Sequence, residues 1–337
     1  MIKIGLRLIM GLAILATLFI SLFLLLLKRP LILTVSSQPV HIAPNPKRLR
    51  AHVEALSNQF HPRSWLDIEN LDRTADYIKK NLEETGATVD VQEFEAEKRK
   101  YRNIAVHFGS QVEPRIVIGA HYDSHEGTPG ADDNASGVAG VIELARLISE
   151  KAVGVPVTLA AFTLEEPPFF RSPSMGSAVF AKSLKDSSVP VRLMISLEMI
   201  GYFSDKPHSQ LFPAPLLSFI YPTTGNFIAI VDRFNLRSET ASIKRAFRES
   251  TILPAESINA PRFIPGIDFS DHLSFWNAGF DAVMITDTAF LRNHAYHGSD
   301  DTADRLDYER MAEVVKGVYA YLLSQSSRQQ KDYQSDR

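Results

Sequence analysis

Three apolar runs of the chain each end on side chains that bind metals or move protons. "RIVIGAHYD" ends on His121 and Asp123, "VTLAAFTLEE" on Glu165 and Glu166, and "VRLMISLE" on Glu198. Asp133 stands in "GADDNASG", just before a helical stripe, and "NHAYHGSDDT" brings His294 and His297 a few residues beyond the run "DAVMITDT". Each has a plainer explanation when taken alone. Asp, Asn and Ser are favoured helix N-caps, and a lone histidine beside a strand is more often a packed or hydrogen-bonded group, as we read His41, His52, His61, His107 and His208. Taken together, carboxylates and imidazoles at several strand ends would repel one another without cations. Two Zn²⁺ ions would resolve that repulsion, acidify a water and polarise a carbonyl, and a further carboxylate would be needed to shuttle the proton.

Competing chemistries are poorly supplied. The chain has no cysteine, which removes thiolate zinc sites, disulfides and a cysteine nucleophile. It has no G-x-S-x-G elbow, no phosphate-binding G-x-x-x-x-G-K-[ST] loop and no G-x-G-x-x-G. "HEGTP" starts like the helical zinc motif H-E-x-x-H but carries Pro129 where the second histidine belongs. A formal net charge of −3 without a basic cluster argues against a nucleic-acid partner.

The elements needed to gather these groups are legible. "NLDRTADYIKKNLEETG" puts Leu71, Ala75, Ile78 and Leu82 on one helical face and stops near Gly86. "SGVAGVIELARLISEKA" carries a second stripe between two apolar runs. Continuous apolar strands alternating with amphipathic helices predict an α/β fold, a mostly parallel central sheet with helices on both faces. Ligands of open α/β sheets bind beyond the carboxyl ends of the strands, where the groups above fall. One catalytic domain is expected over residues 47–325, with 204–266, rich in proline and aromatic residues, an insertion over one face near the substrate pocket. A polar tail follows at 326–337. Residues 1–29 contain an uncharged stretch from Leu8 to Leu27, long enough to span a bilayer as a single anchor helix. Residues 30–46 read as a stalk, and the catalytic domain is expected outside the cytoplasm.

With these residues assembled, the chain resembles the M28 family of dinuclear zinc aminopeptidases and related peptidases. The resemblance runs in colinear order from about residue 65 to residue 325, through "GAHYDS", "GADDNASG", "TLEEP", "SLEMIGY", "SDH" and "AYHGSDDTADRLDYERM". It implies two zinc ions per chain bridged by Asp133, one taking Glu166 and His297 and the other His121 and Glu198. Glu165 would be the general acid/base, and Asp123 would fix the His121 tautomer, as metal-bound histidines usually require. Tyr296 would donate to the oxyanion or pack beside the ligand. Asp271 and His272 would line the site, Asp132 would be turn or cap, and His125 and His294 stay outside the metal shell. Two departures stand out. Position 198 is Glu where many members have Asp, and "PPFFRSPSMGS" replaces a shorter glycine-containing turn.

The resemblance implies an aminopeptidase acting on peptides. Two alternatives share the fold: a glutaminyl cyclase, associated with a single zinc and disfavoured by five ligand positions, and a non-catalytic binding ectodomain, disfavoured by the intact base. Alternation along a strand would explain the adjacent glutamates, sending Glu166 to the metal and Glu165 to the attacking water.

Overall fold

The protein is described here by a computed structural model covering residues 2–32, 43–233 and 238–335. A hairpin opens the sheet. In β1 (Val89–Ala96) and β2 (Arg99–Phe108) polar residues alternate with apolar ones, and the pair lies at one sheet edge. Apolar runs form the centre: β3 (Arg115–His121) and β4 (Val157–Phe162) are buried at every position, and β5 (Val191–Glu198) from Leu193 onward. With β6 (Ile228–Arg233), β7 (Ala255–Ala260) and β8 (Ala282–Thr286) the sheet order is β1-β2-β4-β3-β5-β8-β6-β7. Strands β4, β3, β5 and β8 run parallel, as expected. The hairpin and the β8–β6 pair are antiparallel.

The period of two divides the core. Ile116, Ile118, Leu193, Ile195, Val283 and Ile285 point to one face, and Val117, Met194, Ala282 and Met284 to the other. The first face is covered by α2 (Pro46–Glu54), α3 (Ile68–Glu83), α4 (Gly137–Glu150), α6 (Ser238–Ser250) and α8 (Tyr308–Ser335). The second is covered by α5 (Gly176–Asp186) and α7 (His272–Ala278). The predicted stripe of α3 is buried in full, and its C-terminal turn ends at Gly86, whose φ of 77° suits glycine.

Residues 204–266 depart from the expectation of a segment lying over one face. They contribute α6 and the sheet strands β6 and β7, while their loops wall a pocket beside the strand ends. The proline- and aromatic-rich start hid a six-residue strand, too short for its periodicity to stand out. Helix α8 also continues to Ser335, past the boundary expected for the tail.

The N-terminal helix α1 (Ile2–Leu27) is 26 residues, about 39 Å at 1.5 Å per residue. Only 6% of its Met10–Leu27 window is buried, and its length and composition suit a membrane span and a signal sequence alike. Its end is docked. Leu27 is buried in the second core, and Ser257 of β7 donates to the carbonyls of Lys28 and Arg29 at 3.2 and 3.1 Å. Most of the expected stalk, residues 33–42, lies outside the described residues.

Candidate metal centre

His121 is the last residue of β3 and Glu198 the last of β5, so the sheet itself delivers both to one edge. Glu165 and Glu166 arrive differently. β4 ends at Phe162, three residues before the pair, so strand alternation does not orient them. A loop does, and Asp123 holds it: the backbone N–H groups of Glu165 and Glu166 donate to its two carboxylate oxygens at 3.2 and 3.1 Å. Leu164, Met199 and His297 all have positive φ, at 59°, 49° and 56°. Such backbone costs about 1–3 kcal/mol and concentrates at functional sites.

The Asp133 loop is gripped in the same way. Asp301 accepts from the backbone N–H groups of Asp132 and Asp133 at 3.0 Å each. Asn134 donates to Leu197 O and Glu198 Oε2 at 2.8 and 3.3 Å and accepts from Gly137 and Met199 N–H, which joins the loop to the end of β5. Gly137 is required there, because a Cβ would meet Leu197 O at 2.4 Å and Asn134 Oδ1 at 2.5 Å. The fully buried Arg63 braces the chain leading into the Asp133 loop. Its guanidinium donates only to main-chain carbonyls, those of Leu56, Tyr122, Pro129 and Gly130 at 2.5–2.9 Å.

The expected ligands form two groups that share Asp133. His121 Nε2 lies 3.3 Å from Asp133 Oδ1 and 3.4 Å from Glu198 Oε2. His297 Nε2 lies 3.3 Å from Asp133 Oδ2 and 3.2 Å from Glu166 Oε2. These residues fit zinc. Donors on a tetrahedral ion with bonds of about 2.0–2.1 Å are about 3.3–3.4 Å apart, which is the spacing found. His121 Nε2 and Glu166 Oε1 are buried without a hydrogen-bond partner, an expensive arrangement that a coordinated cation would relieve. His121 Nδ1 sits 3.1 Å from the Asp123 carbonyl and 3.5 Å from its Oδ1, so Asp123 engages that nitrogen and leaves Nε2 to the cluster.

The charges carry the same message. Burial pulls the His297 imidazole down, but hydrogen bonds to Asp133 and Glu166 outweigh it and hold the pKa at about 10. His121 is likewise raised despite complete burial, by Glu198, Asp123, Asp133 and Glu165. Both rings gather positive charge where a dication would sit. Glu165 belongs to neither group, and its Oε2 is 3.9 Å from His121 Nε2. Burial, then Glu198, Glu166 and Asp271, push its carboxyl well above the usual range, against the pull of His121. Asp271 is fully buried with both carboxylate oxygens unpartnered, and burial raises it to about 7.

Other expected residues separate. Tyr296 stacks on His297 at 3.8 Å between ring centroids, and His125 also stacks on His297, at 4.1 Å. His294 is exposed. His272 turns away, with Nε2 2.8 Å from Ile267 O and its ring edge-on to Trp276, so it does not join the cluster as expected. Its place at the start of α7 sends Asp271 and His272 in different directions. Asp132 does more than cap a turn: it accepts from Gly201 N–H at 3.0 Å and Asn293 Nδ2 at 2.9 Å and faces the buried Asp287. Asp301 lies inside the quoted run "HGSDDTAD", so its position was visible although its task was not. Asn134 likewise lies inside "GADDNASG" with its task hidden, and Arg63 gave no signal of its own.

An apolar pocket opens beside the centre. Glu198 and Tyr296 are among its lining, with Leu217, Phe227, Phe269 and Phe290. Among the described residues, its lining carries the carboxylates Glu198 and Glu256 and no lysine or arginine.

Residues 103–322 match the family described as Peptidase family M28. The chain belongs to peptidase family M28. This M28 chain is 47% identical over 317 residues to the uncharacterized protein YfbL of Escherichia coli K12, covering 90% of this chain and 97% of that one. It is 25% identical over 284 residues to a probable leucine aminopeptidase of Arthroderma otae, covering 81% and 69% respectively. The Legionella pneumophila LapA aminopeptidase has the same fold, with a TM-score of 0.68 at 21% identity, covering 84% of this chain and 72% of that one. So does the Bacillus subtilis zinc aminopeptidase BSAP, with a TM-score of 0.67 at 13% identity and coverage of 85% and 96%.

Proposed function

We propose that the chain is a zinc exopeptidase that removes N-terminal residues from peptides. The arrangement that carries this reading is two donor groups sharing Asp133, with the non-ligand carboxylate of Glu165 beside them. His121, Asp133 and Glu198 would hold one zinc ion and Asp133, Glu166 and His297 the other, supplying an acidified water and a polarised substrate carbonyl. Glu165 accepts the proton of the attacking water and returns it to the leaving nitrogen. Asp123 keeps Glu165 and Glu166 at fixed positions through their N–H groups. Burial and the surrounding carboxylates raise the Tyr296 phenol, which stays protonated and able to donate to a substrate oxygen. The likeness to a probable leucine aminopeptidase supports release of an N-terminal residue, and the apolar walls of the pocket suit an apolar first side chain.

The purified full chain with Zn²⁺ is expected to hydrolyse aminoacyl amides and to lose activity to chelators and to Glu165→Gln. Activity that survives both would remove the proposal. Cyclisation of N-terminal glutamine with one metal per chain would indicate a glutaminyl cyclase instead, and failure to retain any zinc a binding ectodomain.

We also propose that α1 is retained as an anchor, with the peptidase domain outside the cytoplasm. The buried Leu27 and the bonds from Ser257 to Lys28 and Arg29 support retention, because cleavage near this point would strip them. A membrane-extracted protein whose mass corresponds to a start beyond Leu27 would refute it.

A further inference from the structure

Helix α1 does not leave the domain at an arbitrary place. Its last turns, with Ile20, Phe23, Leu24 and Leu27, share an apolar groove with Pro213, Leu216, Leu217 and the segment Phe263–Pro265. Pro213, Leu217 and Pro265 also line the pocket beside the metal centre, so one thin wall separates the end of α1 from that pocket. The junction is bonded to the domain. Lys28 donates through Nζ to Ile220 O and lies 5.3 Å from the Tyr221 ring centroid, Asn259 donates to Arg29 O, and Arg248 to Ile32 O.

Around this junction large apolar side chains face outward: Phe263 is 84% exposed, Phe219 80%, Leu211 50% and Leu216 49%. They stand on stretches without charge, Gln210–Tyr221 and Phe263–Ile267. Contiguous exposed apolar surface of this kind is uncommon on a soluble face. Here it continues the bare surface of α1, whose Leu18 and Phe19 are 61% and 71% exposed.

We propose that the turn Pro215–Phe219 and the segment Phe263–Pro265 form a membrane-docking surface that enters the bilayer interface beside α1. This rests on the reading of α1 as a retained anchor. The occupant is the lipid surface itself: a spanning α1 ends at the headgroup level, and whatever is fixed beside its last turns lies at that level too. The mouth of the pocket then opens at the membrane, and the enzyme meets peptides whose N-terminal segments partition into the interface.

The absence of cysteine from the chain makes the test direct. The full-length protein is reconstituted in phosphatidylcholine–phosphatidylglycerol vesicles with a single environment-sensitive fluorophore on Phe219→Cys, Phe263→Cys, Leu18→Cys or Val112→Cys. Val112 is 84% exposed and precedes β3, which β5, β8 and β6 separate from β7 in the sheet. A headgroup-level lipid quencher is expected to reduce emission from positions 219 and 263 at least threefold more than from 112, and an acyl-chain quencher to reduce emission from position 18. Quenching at 18 with 219 and 263 equal to 112 would overturn the docking surface and leave the anchor standing. No quenching at 18 would remove the anchor, and the docking surface with it.

Discussion

On the proposed function the two adjacent glutamates would separate chemistry from metal binding, a division that a pair of isosteric substitutions can measure. Glu165 belongs to neither donor group, whereas Glu166 Oε2 lies 3.2 Å from His297 Nε2 in the group completed by Asp133. Replacing Glu165 by Gln keeps the volume and removes only the proton acceptor. General acid–base catalysis is worth about 10²–10⁴ in rate, or about 3–5.5 kcal/mol of barrier at 1.36 kcal/mol per decade. Turnover should fall by that factor while zinc content stays as in the wild type. Stability of the metal-free form should not fall, because the substitution removes a buried carboxyl that Glu198, Glu166 and Asp271 already oppose. Glu166→Gln should act the other way, releasing zinc at chelator concentrations the wild type resists. The assay is steady-state hydrolysis of an aminoacyl amide alongside metal analysis and thermal unfolding of the stripped protein. Glu165→Gln within threefold of wild-type turnover, or depleted of zinc, would refute the division of labour.

Asp123→Asn loses one of the oxygens that hold the Glu165 and Glu166 amides. By analogy with other supporting carboxylates, zinc affinity should drop about 10–100-fold in a competition titration. Gly137→Ala drives a methyl group into Leu197 O and Asn134 Oδ1. Overpacking of this kind costs about 1–3 kcal/mol, read as a lower melting temperature together with reduced metal content. Asp287 is raised to about 7, mainly by burial. A carboxyl raised above its unfolded value stabilises at low pH and loses that contribution as pH rises through the folded pKa. Melting temperatures of the metal-free protein should therefore decline between about pH 4 and 7, and decline less in Asp287→Asn.

Strand ends and helix stripes were legible because their periods are local. His121 and Glu198 could be placed at strand termini from the apolar runs before them, and the structure puts them there. Glu165 and Glu166 illustrate the limit: their grouping was visible, but the reason for it was not. Strand alternation is a local rule, whereas Asp123 holds them across 42 residues of sequence, and such a contact leaves no periodic trace. Asp301 and Arg63 fall under the same limit, since their partners are backbone groups, which every residue possesses. His272 failed for the opposite reason. The likeness of the run "SDH" to the family suggested that both Asp271 and His272 line the site, and the start of α7 sends these neighbouring side chains apart.

Arg63 braces the backbone of the candidate centre from within the chain. This guanidinium is wired into the main chain rather than to any carboxylate, and even fully buried its pKa falls only to about 10, so it stays charged at neutral pH. It ties together the two ends of the loop between β3 and Asp133 and supplies a positive charge beneath it. The backbone leading into Asp133 is thereby held by contacts internal to the chain.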